Sequence, residues 1–276
     1  MPIPSVEQFF ALAGSSPWRW LTLRFRVTWH GRMHTPAAGF EREPVRAWVA
    51  RPDALRVESL DGRVLIADRR PESAASTRVL ASVDGARHAA SGAQASAVHQ
   101  AIGEPELDEF GLVRSRPYGL MPDDPMYENY HWVAMLDPRE LADGVQGEPD
   151  VPPLVVGNLA EVDHHGRPVW EAVVRPTDTY DPRCACCALL FGAKSEAIVA
   201  DLGGPTLSER DPSVRYADAF RVRVDVQTSV CVLTEEIGGS APGSGHELVI
   251  EAADEQLPNE LFEPPPHERW LRSRRR

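Results

Sequence analysis

Cysteine is scarce, aromatic residues make up only 7% of the chain, and positive charge is outnumbered. Each shortage excludes something. Four cysteines in 276 residues cannot build the dense disulfide framework of a small secreted domain, and a chain this long buries a substantial core without such staples. With 29 Lys and Arg against 41 Asp and Glu, the net charge is -12. That balance repels phosphate backbones and argues against nucleic-acid binding through a broad basic surface. No apolar run approaches the roughly 20 residues of a membrane span, so a membrane-spanning protein is not expected. The N-terminal "MPIPSVEQFFALAGSSPW" has no basic leader, which predicts a cytoplasmic chain with reduced thiols.

Catalytic templates are missing too. There is no G-x-S-x-G elbow, Walker loop, G-x-G-x-x-G after a strand, or H-E-x-x-H. "LGGPTLSE" and "IGGSAPGSG" read as loops, and acidic pairs such as Asp123-Asp124 and Glu235-Glu236 as solvated. No residue constellation supports an enzyme, so a non-enzymatic protein is the expectation.

What is present leans towards β structure. Twenty-five prolines beside 20 glycines indicate many turns and little long helix. A short amphipathic helix is predicted from Val6, Phe9, Phe10, Leu12 and Ala13, ended by Gly14 and Pro17. In "LTLRFRVTWH", Leu21, Leu23, Phe25, Val27 and Trp29 alternate with polar residues, the pattern of a long strand with one wet face. "VRAWVA", "LRVES" and "RVLIAD" follow as a meander, with Asp61-Gly62 predicting a type I′ hairpin turn.

Residues 71–118 lack periodicity and read as a flexible, loop-rich segment. Beyond them, Asp124-Pro125 is a candidate cap, and Met126, Tyr130, Val133 and Ala134 share a helical face before Pro138 interrupts. The second half is again strands, including a pair around His164-His165-Gly166-Arg167-Pro168 and the alternation Phe220, Val222, Val224, Val226. "LPNELF" closes a single domain spanning 1–276. A basic tail, 266–276, carries Arg269, Arg272, Arg274, Arg275 and Arg276 and suits an acidic partner, anionic lipid or simple solvation.

Three of the four cysteines fall within "RCACC". Asp181-Pro182 as a start and Gly192 as a stop predict a helix of about ten residues, with Cys184 and Cys187 on one face. Their C-x-x-C spacing suits zinc or a redox pair, but a tetrahedral zinc needs further ligands and no second C-x-x-C exists. Cys186, Cys231, His164 and His165 are the remaining candidates. Thiols packed as small hydrophobes, a zinc site and a redox-sensing site all stay open.

The order of elements, with "AWVARPDALRVESLDGRVLIADRR", "MLDPRELADG" and "RVRVDVQTSVCVLTEE", resembles the LolA-like lipoprotein-carrier superfamily, which includes regulators of the RseB/MucB type. The composition is also similar to that of proteins from high-GC bacteria. The superfamily resemblance implies a mainly β fold, a strongly curved antiparallel sheet forming an incomplete barrel closed by helices. It further implies a concave face that takes a hydrophobic small molecule, an acyl chain or lipid, lined here by Leu21, Leu23, Phe25, Val27, Trp29, Val222 and Val224. A protein partner is implied by the regulatory members. The missing leader and the added cysteines depart from exported carriers. Two outcomes compete for the apolar face: the helices fill it, or a cavity remains.

Overall fold

The structure is a computed structural model and describes residues 4–31, 42–69, 103–116, 123–144 and 151–264. The predicted alternation becomes one antiparallel sheet of nine strands. Its N-terminal meander is β1 (Thr22–His30), β2 (Val45–Ala50), β3 (Ala54–Ser59) and β4 (Val64–Arg69). A separate two-stranded ribbon, β5 (Glu106–Leu107) and β6 (Val113–Ser115), follows. The C-terminal meander is β7 (Leu154–His164), β8 (Arg167–Pro176), β9 (Ala219–Asp225), β10 (Cys231–Ile237) and β11 (Gly245–Ala253).

The large sheet runs β4-β3-β2-β1-β11-β10-β9-β8-β7, so the first and last strands join the two meanders. β4 and β7 are its ends, and the described strands do not close into a barrel. Among the described residues, four short helices complete the main elements: α1 (Val6–Ala13), α2 (Tyr130–Leu136), α3 (Ala193–Asp201) and α4 (Leu207–Arg210). None is long and apolar enough to cross a membrane.

Pleating explains the burial. On β1, Leu23, Phe25 and Val27 are 0% exposed, whereas Arg24, Arg26 and Arg46 of β2 meet Glu251 of β11 on the other face. Side chains from the helices pack on the inward face. Phe25 packs on Trp132 of α2 with ring centroids 5.2 Å apart, and Phe9, Leu12, Met135, Leu136 and Leu141 join the same core cluster.

Several local expectations change in three dimensions. Asp124 is not a cap; it forms a buried ion pair with Arg51 (2.6 Å), and Asn129 caps α2 through His131 N–H (3.0 Å). At Asp61-Gly62 only Gly62 has positive φ, so the connection is a longer loop rather than a type I′ turn. That signature occurs instead between β7 and β8, where His165 and Gly166 have φ of 53° and 82°. Leu21 lies just before β1 and is only partly buried.

Within the predicted flexible segment, residues 103–116 include the ribbon. Its Val113 N–H donates to Ser15 Oγ (2.9 Å). Residues 71–102 and 117–118 lie outside the described residues, as does the basic tail 266–276.

Candidate metal centre

The predicted cysteine helix does not form. Ala185–Cys187 is a single 3₁₀ turn, closed by Cys187 N–H donating to Cys184 O (3.2 Å). The longer helix begins only at Ala193, with Gly192 preceding it rather than ending it. The local signals lose to tertiary hydrogen bonds around Glu140, which is buried in the 3₁₀ turn after α2. Its carboxylate accepts from Arg183 N–H (3.2 Å) before the cysteines and Leu189 N–H (2.8 Å) after them. Tyr180 OH donates to the same carboxylate (2.5 Å) and accepts from Leu190 N–H (3.2 Å). One buried acid therefore fixes both ends of the loop.

The Arg183 side chain anchors the loop from a second direction. It is buried in ion pairs with Asp123 and Asp137, and Arg116 approaches Asp137 from another element. The arginines hold Asp137 below the ordinary carboxylate value although burial opposes that shift. Asp123, expected to be a solvated acid, is one of these partners. The sequence marks neither it nor Glu140 as a site residue; the local sequence "DPREL" carries helical signals but no sign of a tertiary partner.

In the loop so held, Cys184 is half-buried, Cys186 exposed and Cys187 buried. The Cys184 and Cys186 sulfurs are 3.0 Å apart, and the three Sγ atoms all lie within 4.8 Å of one another. These cysteines form a group that can hold a metal ion. Burial raises the Cys184 thiol, but hydrogen bonds from the other two thiols and their backbone N–H groups outweigh it and leave its pKa lowered. Burial and the neighbouring Cys184 raise Cys186 and Cys187. Hydrogen bonding from the other two cysteines therefore favours the thiolate form at Cys184.

The remaining sequence candidates do not complete this group. Cys231 is buried in β10, donates to Leu233 O (3.5 Å) and has its pKa pushed up to about 12 by burial. His164 and His165 gather with Glu247 in a second group. Leu23, Phe25, Val27, Val222 and Val224 are 0% exposed, while Leu21 and Trp29 are partly buried. The apolar candidates on the strands share the core with α2 and the loop residues Leu189 and Leu190.

No family model matches the chain, and comparisons with curated proteins and solved structures likewise found no match.

Proposed function

We propose that the chain is a metal-binding protein whose site is the thiolate cluster Cys184, Cys186 and Cys187, with zinc as the ion. The observation that carries this reading is the convergence of all three sulfurs within 4.8 Å on a loop fixed independently by Glu140 and Arg183. Tetrahedral zinc, with Zn–S bonds of about 2.3 Å, sets sulfurs about 3.8 Å apart. The 3.0 Å contact therefore opens slightly on loading.

Three protein ligands leave the fourth position for water or an incoming ligand, and exposed Cys186 supplies the open side. A loop held by buried hydrogen bonds stays shaped without the ion. The site consequently suits reversible metal binding better than a fold-stabilising clasp. Reduced cytoplasmic thiols would keep it available.

The acyl-chain function implied by the LolA-like resemblance has less support. It requires the curved, incomplete-barrel geometry of that superfamily and an open concave face, whereas Leu23, Phe25, Val27, Val222 and Val224 share one buried cluster with Trp132, Met135 and Leu190.

The test is an anaerobic zinc titration of the untagged, reduced chain against a chromophoric chelator. The native chain is expected to hold one more equivalent against the chelator than C184S/C186S/C187S does. Failure of the reduced native chain to compete, or unchanged competition by the triple variant, would reject the site.

A further inference from the structure

A second cluster of ligating side chains lies on the outer face of the sheet, with chemistry unlike that of the cysteines. β10 and β11 pair only from Leu233–Glu247 to Glu235–Gly245. The Leu248 carbonyl is taken instead by the β7–β8 turn: His164 Nε2 donates to it at 3.0 Å. This bond brings an edge hairpin back to a strand three positions inside the sheet order.

The two-residue turn then places His165 over Glu247. Gly166 N–H donates to Asp163 Oδ2 (3.0 Å), steadying the turn from within, and His165 Nε2 donates to Glu247 Oε1 (2.9 Å). From β1, His30 Nε2 comes within 3.8 Å of Glu247 Oε2. One carboxylate thus stands between two imidazoles delivered by different elements.

We propose that His30, His165 and Glu247 form a second metal site, specific for a divalent first-row transition ion such as zinc, nickel or copper. Two imidazoles and one carboxylate are a borderline nitrogen and oxygen donor set; calcium and magnesium prefer oxygen-rich shells. Bonds of about 2.0–2.1 Å in a tetrahedral site put neighbouring donor atoms about 3.3 Å apart. The two nitrogen-to-carboxylate distances lie on either side of that value. The side chains are 49%, 48% and 33% exposed for His30, His165 and Glu247, so water has access to the remaining positions.

His164 has a different role, although its donor atom lies within 4.8 Å of those of His165 and Glu247, a group that His30 meets only through Glu247. Its Nε2 is committed to Leu248 O, and its Nδ1 accepts from Arg223 Nη1 (3.3 Å). It positions the turn, leaving His165 to meet the ion. The sequence marked both histidines as ligands to join the cysteines, and the fold divides their work.

The test uses the untagged full chain carrying C184S/C186S/C187S, so its outcome is independent of the thiolate site. Side-chain nitrogen resonances of the histidines are followed by NMR during zinc titration, with magnesium as the control. Saturable shifts at one equivalent are expected for His30 and His165, while buried His131 and His246 stay fixed. H165A and E247Q should each weaken binding roughly tenfold or more, with unchanged His131 and His246 resonances verifying the fold. Unmoved His30 and His165 resonances, equal shifts with magnesium, or undiminished affinity in both folded variants would overturn the site.

Discussion

At the scale of single residues, His131 and His246 form a buried pair that gives the fold a defined response to acid. Their rings meet edge to face at 5.1 Å, with His131 Nε2 and His246 Nδ1 3.2 Å apart. His246 Nε2 donates to Cys231 O (2.9 Å), and its Nδ1 accepts from Thr234 Oγ1 (2.9 Å). Neutral His131 can donate at only one nitrogen, either to Ala188 O or to His246. A second proton would satisfy both contacts, but burial opposes its charge.

Burial, and then the facing His246, holds His131 below the ordinary histidine value; burial lowers His246 to about 4. Between an unfolded value near 6.5 and this lower folded value, the unfolded chain binds more protons, so stability falls as pH falls. Thermal unfolding followed from neutral pH downward should show decreasing Tm from about pH 6.5, before most carboxylates titrate. H246Q should reduce that slope. An equally steep slope in folded H246Q would assign the acid response elsewhere.

At the scale of elements, the cysteine segment shows why a short pattern can be misread. Asp181-Pro182 and Gly192 carry ordinary helix-boundary signals, yet what forms between them is a single 3₁₀ turn, closed by the backbone bond from Cys187 to Cys184. The surrounding bonds go to Glu140 and Tyr180. E140A would leave the Tyr180 hydroxyl and two backbone donors without this acceptor, a loss of about 3 kcal/mol or more. Chemical denaturation should show that loss, and the zinc competition should show weaker binding as the loop loosens. Full native stability in E140A would remove Glu140 from its anchoring role. The β7–β8 hairpin was easier to read from sequence, because its alternation and His165-Gly166 turn are local; its bond to Leu248 was not.

At the scale of the whole molecule, β1 and β11 decide how the halves behave. Leu23 pairs with Ala253 at one end of this seam and His30 with Gly245 at the other. Phe25 and Leu248 contribute to the same buried cluster as Trp132. Because both meanders share that core, a two-state transition is expected: far-ultraviolet dichroism and tryptophan fluorescence should yield coincident denaturation curves. Separate midpoints would show that the seam does not couple the meanders. Trp20 also belongs to the core and stacks under Arg51 at 3.4 Å, extending the fluorescence probe to the segment before β1.

The sequence by itself determined the mainly β character, most strand positions and the inward alternation of Leu23, Phe25, Val27, Val222 and Val224, because side-chain direction in a strand follows a period of two. It also singled out the adjacent cysteines, whose chemistry is visible without a partner. Only the tertiary structure decided that Glu140 and Arg183 hold those cysteines in a loop, that Cys231 stands apart, and that His30 and His165 meet at Glu247. Those decisions rest on contacts between residues far apart in the chain, where hydrogen-bond satisfaction and burial override local propensity.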